Sequence, residues 1–227
     1  MVATEATAMI MCQDFDSYNT NTGSCGKFVK GMKSMLLPIH PPGSEGQGGI
    51  KEEMIILQDE TPGELYCAGP NIMLGYLNEE KKTKEALLNW GGGTWYRTGD
   101  LVLTRNGGID FWHLARIEDL IWFKDEKGGG EYSVGKGKSK GYTCVRPSVI
   151  ENVLGRHEAV KECAVVGVPD EKWGSVLKAF VVLKEGEWDD DEVREEIVRF
   201  SDLRVEEEYL HLKGGLEFVG ELPKNIT

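Results

Sequence analysis

Trp95-Tyr96-Arg97-Thr98-Gly99-Asp100-Leu101 is the stretch on which the reading of the fold turns. It opens an aromatic and β-branched run, Trp95 to Thr104, that suits a strand. Gly108 to His113 answers it across Asn106-Gly107, a dipeptide that tolerates the positive φ of a tight hairpin. Upstream, Glu79 to Trp90 has helical spacing, with Ala86, Leu87 and Trp90 towards one side. Gly91-Gly92-Gly93 reads as its stop. Pro62-Gly63 turns the chain into a strand over 64–69, and Met54-Ile55-Ile56-Leu57 reads as a short buried strand. Pro41 to Gly49 is a loop by composition. Lys27 to Ile39 turns at Gly31 before an apolar run from Met32. This half is mostly β with one helix, a partial distorted β-barrel.

Downstream the pattern changes. Leu120 to Phe123 reads as a strand, and Pro147 to His157 as a short helix with proline in its first turn. Val160 to Val168 and Leu177 to Leu183 are apolar strands. Asp189 to Leu203 is an amphipathic helix with Val193, Ile197 and Phe200 inward and three aspartates at its positive end. Leu216 to Val219 is a last strand. The order β-α-β-β-α-β is a small α+β domain, so the whole is α+β with a boundary near Arg116, giving regions 1–115 and 116–227. Lys124 to Lys140 holds five glycines and five lysines and reads as a surface insertion. An anion-contacting loop is the alternative, although the spacing is not that of a P-loop.

Composition narrows the function. The 227 residues carry a formal net charge of −12, which disfavours binding to nucleic-acid phosphates. A small anionic substrate needs only local positive charge. Cys12, Cys25, Cys67, Cys144 and Cys163 are widely spaced with no CxxC pair, as reduced, buried cysteines are, and the spacing suits no zinc site. No apolar stretch approaches the length of a membrane span, and no secretory or other targeting signal is visible. A cytoplasmic or peroxisomal location is expected.

Several short motifs occur in order: Thr4-Glu5-Ala6-Thr7-Ala8, then Gly69-Pro70-Asn71-Ile72-Met73-Leu74-Gly75-Tyr76, then the Tyr-Arg-Thr-Gly-Asp run. Arg116-Ile117-Glu118-Asp119-Leu120-Ile121, Gly141-Tyr142, Glu151, Val165 to Asp170, and Glu217-Phe218-Val219 with Glu221-Leu222-Pro223-Lys224 follow. Together they resemble the adenylate-forming superfamily, specifically the 4-coumarate:CoA ligase-like, AMP-forming acyl-CoA synthetases. Leu212 to Gly215 also resembles that branch.

The resemblance implies a two-step reaction. A small-molecule carboxylate attacks the α-phosphate of ATP, giving acyl-AMP and pyrophosphate, and the thiol of coenzyme A then displaces AMP. It implies that Thr4 contacts the α-phosphate, Glu5 holds Mg²⁺, Asp100 accepts both ribose hydroxyls, and Arg116 contacts ribose or phosphate. The plainer roles are a helix N-cap for Thr4, a turn aspartate for Asp100 and a surface ion pair for Arg116. Glu118 falls at the family's hinge, where members carry Asp or Lys. Lys140, Gly141 and Tyr142 resemble the coenzyme A tunnel loop. Residues 1–115 would then end the large AMP-binding domain, and residues 116–227 would be its mobile C-terminal domain.

Three departures shape the functional expectation. Met1-Val2-Ala3 stands where the family has Tyr-Gly before its Thr-Glu pair. The family's upstream phosphate loop and carboxylate pocket are absent from these residues, and the adenylation lysine would lie beyond Thr227. The chain is therefore expected to be inactive alone, as part of a ligase that a complementing N-terminal fragment would complete. A non-enzymatic nucleotide- or partner-binding remnant is one alternative. An adenylation enzyme that loads a carrier protein is another.

Overall fold

The computed structural model describes residues 1–13, 22–40, 55, 59–124, 142–187 and 189–223. The 41–49 loop and most of the glycine-lysine segment lie outside these residues, as do Met54, Ile56 and Leu57 of the expected strand; Ile55 is a bend. The described residues form two compact units, one running to Glu118 and the other starting at Asp119.

The first unit contains β1 (Val2–Ala3), β2 (Ala8–Met9), β3 (Met11–Cys12), β4 (Lys27–Phe28), β5 (Lys33–Leu37) and β6 (Gly63–Ala68). Helix α1 (Glu80–Ala86) and strands β7 (Leu87–Trp90), β8 (Gly93–Arg105) and β9 (Asp110–Arg116) complete it. Strands β5, β6, β8 and β7 form an antiparallel sheet in that order, and β9 also pairs with β8. The sheet is open, and no closed barrel forms among the described strands. Every residue of β6 is buried. Leu65 and Cys67 join Ile10, Leu36, Tyr96 and Val102 in one core, while Tyr66 and Ala68 join Met35, Leu37 and Trp95 in another. This is the period of two expected of a strand covered on both faces.

The expected helix from Glu79 to Trp90 stops at Ala86, and its last four residues are the edge strand β7. Trp90 pairs with Gly93 across Gly91 and Gly92, whose φ values of 58° and 76° make a tight hairpin turn. Trp90 and Trp95 meet edge-on at 6.0 Å, and the Trp95 indole donates to the Trp90 carbonyl at 3.1 Å. The glycines therefore turn a hairpin, and the helix ends before them at Ala86. The Asn106-Gly107 hairpin forms as expected, as a longer loop whose amides at Gly107 and Gly108 donate to the Asp59 carboxylate at 2.6 and 2.9 Å.

The second unit contains β10 (Ile121–Lys124), β11 (Tyr142–Val145), α2 (Pro147–Leu154), β12 (Val160–Asp170), β13 (Gly174–Leu183), α3 (Asp191–Asp202) and β14 (Leu216–Phe218). The expected helices and strands are present, and β11, which pairs with β10, is an addition to the sequence reading. Strands β12 and β13 form a long antiparallel hairpin, and β14 joins β13 in parallel. Ile150, Leu154, Leu177, Ala179, Val181 and Ile197 are fully buried between helices and sheet. Glu151 ties α2 to β12 by accepting the Val165 amide at 3.0 Å. Asp190 caps α3 by accepting the Val193 amide at 2.8 Å. No helix among the described residues is long and apolar enough to cross a membrane.

Candidate functional site

The site in the first unit is built around an irregularity in the sheet. Tyr66 pairs with Arg97 and Glu64 with Leu101, so Leu65 alone faces Thr98, Gly99 and Asp100. Such a bulge kinks the strand and re-aims its side chains. Gly99 sits at φ 69°, in the region where a side chain is strained. The Thr98 hydroxyl donates to the Leu65 carbonyl at 2.9 Å and accepts the Asp100 amide at 3.0 Å. Arg97 meets the buried Glu64 carboxylate at 2.6 Å. The Thr98 hydroxyl thus braces the bulge from within.

Asp100 is buried, 4% exposed, and its Oδ1 holds two neighbours. His113 Nε2 lies 2.9 Å away and Arg116 Nη1 3.1 Å away. Arg116 also donates to the Thr98 carbonyl at 3.0 Å. Arg116 faces Asp100 directly across the β8–β9 ladder. His113 joins them because β9 has a bulge of its own: Ala115 pairs with Leu101 and His113 with Val102, leaving Leu114 extra. A one-residue slip exchanges the faces of a strand, and here it puts histidine where leucine would stand. Among the described residues, no donor is placed on Asp100 Oδ2.

Thr4 and Glu5 lie on a single 3-10 turn, Thr4–Ala6, between β1 and β2. Ala3, not Thr4, occupies the N-cap, so the capping role expected as the plainer alternative does not arise and Thr4 is exposed. The Gly69–Tyr76 segment straps this turn in place. Asn71 donates to the Ala6 carbonyl at 2.8 Å, the Met73 amide to the Glu5 carbonyl at 2.7 Å, and the Tyr76 hydroxyl to Glu5 Oε1 at 2.9 Å. Burial pushes the Glu5 carboxyl up, the largest single effect. Its own backbone amide, the hydroxyls of Tyr76 and Tyr96, and the charge of Arg116 together outweigh it and lower the pKa. Burial and then Glu5 push both tyrosine hydroxyls up, so they remain donors. Burial, aided by Asp100, raises the Cys67 thiol to about 12, so it stays protonated and unreactive.

The structure thus brings Thr4, Glu5, Asp100 and Arg116 into one unit, and Arg116 acts electrostatically on Glu5 as well as pairing with Asp100. Glu118 is exposed on a 3-10 turn, Ile117–Asp119, where the first unit ends. Tyr142 is exposed at the start of β11, in the second unit. Lys140 and Gly141 lie outside the described residues. Sequence reading missed His113, Tyr76 and Tyr96 as site residues. The tyrosines stood inside quoted motifs, but His113 had no signal, because the bulge that turns it is not visible in residue types.

A group of three metal-ligating side chains is absent among the described residues. Glu5 offers an ionised oxygen donor within reach of the Arg116 charge. That suits Mg²⁺, which commonly takes one or two carboxylates and completes its shell with substrate phosphates and water.

Residues 149–227 match the AMP-binding enzyme C-terminal domain. The chain is 32% identical over 209 residues to the acyl-CoA ligase lcsD of Purpureocillium lilacinum, covering 90% of this chain and 46% of that protein. It is 33% identical to a 2-succinylbenzoate–CoA ligase of Bacillus mycoides, covering 99% of this chain and 38% of that one. It therefore spans less than half the length of these curated relatives. The o-succinylbenzoate CoA synthetase of Bacillus subtilis, solved with its acyl-adenylate intermediate, superposes with a TM-score of 0.64 at 25% identity, over 98% of this chain and 37% of that chain. An ATP-bound RpMatB–BxBclM chimera gives a TM-score of 0.71, also at 25% identity, with 98% and 37% covered.

Proposed function

Because this chain belongs to the adenylate-forming, AMP-binding superfamily, we propose that it is the ribose-holding and hinge-bearing portion of an AMP-forming acid–CoA ligase of the 4-coumarate-ligase-like branch. Residues 1–115 would close the large AMP-binding domain and residues 116–227 would form the mobile C-terminal one. In this reading ATP and a small carboxylic acid give acyl-AMP and pyrophosphate, and the thiol of coenzyme A then displaces AMP to leave a thioester.

The chain's own residues hold the nucleotide. Asp100 Oδ2 accepts the ribose hydroxyls, since an ionised carboxylate is acceptor-only and can take two donors. Arg116 sets positive charge beside Asp100 and towards Glu5, where negative charge grows on phosphate. The exposed Thr4 hydroxyl donates to the α-phosphate. Tyr76 and Tyr96 keep Glu5 aligned and ionised to hold Mg²⁺. When bound, Mg²⁺ would neutralise phosphate charge. Glu118 would be the pivot, supported by its place where the first unit ends, and the resemblance assigns Lys140, Gly141 and Tyr142 to the path of coenzyme A, the first two lying outside the described residues.

The observation that carries this reading is Asp100, buried, held through one oxygen and offering the other. Calorimetry with AMP tests it. The 227-residue chain should bind AMP, and Asp100→Asn should weaken binding about tenfold to a hundredfold, the worth of two hydrogen bonds to a charged acceptor. Unchanged affinity in a folded Asp100→Asn chain would sink the assignment.

A further inference from the structure

We propose that His113 is a positioning residue for the nucleotide site, one that fixes Asp100 through Oδ1 and leaves Oδ2 to the ribose. The inference rests on the nucleotide reading above and adds a residue to it.

The geometry carries it. An ionised carboxylate cannot donate, so the 2.9 Å contact between His113 and Asp100 Oδ1 needs the proton on Nε2. Arg116 alone is an uncertain clamp, because its side chain is 54% exposed and long side chains lose entropy when held. A second donor on the same oxygen removes the remaining rotation of the carboxylate. Oδ1 is then filled, and the ribose hydroxyls are left with Oδ2. The β9 bulge at Leu114 serves this arrangement, since without it leucine would occupy the face that histidine now holds.

Adenosine is the probe, because it isolates ribose recognition from the phosphate contacts. In the 227-residue chain, His113→Gln keeps a donor and should bind adenosine within about threefold of wild type. His113→Leu, lacking any donor, should bind several-fold more weakly while remaining folded. A second readout needs no variant: the His113 ring resonances in NMR should shift on saturation with adenosine. Equal adenosine affinity in wild type and folded His113→Leu, or His113 resonances indifferent to adenosine, overturn the proposal while AMP binding keeps the nucleotide reading intact. Failure of both adenosine and AMP to bind would instead remove the reading and the proposal together.

Discussion

Glu5 is the residue where opposing effects are most closely matched. Burial favours its neutral form, while its own amide, two tyrosine hydroxyls and Arg116 favour the ion and win. A carboxyl lowered on folding contributes stability above its ordinary value of 4.5, and that contribution is lost as pH falls through the folded value. Tyr76→Phe removes one hydrogen bond to the ion. At pH 7 it should lower stability by about 1 kcal/mol, read as a lower urea midpoint with an unchanged slope. The difference between wild type and variant should shrink below pH 4.5, where Glu5 becomes protonated in both. A midpoint equal to wild type at pH 7 would mean that the hydroxyl does not stabilise the ion. Motif order marks Thr4, Glu5, Asp100 and Arg116 as candidates in the sequence, and the structure brings them into one unit. His113 and the tyrosine hydroxyls were not legible there, because their roles arise from bulges and from a strap that returns from residues 69–76.

At the scale of elements, the β7–β8 hairpin shows why local pattern misleads. Leu87 and Trp90 fit a helical face as well as a strand, and periodicity over four residues does not separate the two. Pairing with β8 and the indole contact of Trp90 with Trp95 decide for strand. Gly91→Val forces a β-branched residue into φ 58°, and should cost about 1–2 kcal/mol, seen in thermal unfolding. A neutral effect would mean that the turn is remade without positive φ. Asp190 offers a cleaner element-level test in the second unit. Asp190→Ala frees the Val193 amide and should cost about 1 kcal/mol by chemical denaturation. The helix itself was legible from Val193 and Ile197 on one face, with acidic residues leading it. Strand β11 escaped notice because Tyr142–Val145 is only four residues long and its partner β10 precedes the whole glycine-lysine segment.

For the whole molecule, charge sets the solution behaviour. With a formal net charge of −12 and an isoelectric point near 4.9, self-repulsion protects the chain at neutral pH and fades on acidification. Turbidity at fixed concentration should peak near pH 5 and clear above pH 7, and a maximum well above pH 6 would show that something other than net charge governs association. The sequence made this scale legible directly, since charge needs no knowledge of contacts. The parallel pairing of β14 with β13 has a further consequence, in the order of events during synthesis. β12 and β13 are adjacent in sequence and can pair as soon as both have emerged from the ribosome. The free edge of β13 at Ala179–Val181 must then wait for Leu216–Phe218, while α3 is made between them. Until residue 218 clears the exit tunnel, the nascent chain exposes an apolar strand edge of the kind that chaperones recognise and that templates misassembly. Ribosome-stalled chains ending their exposed portion before Leu216 should therefore be cleaved readily by protease within β13, and those exposing Phe218 should resist.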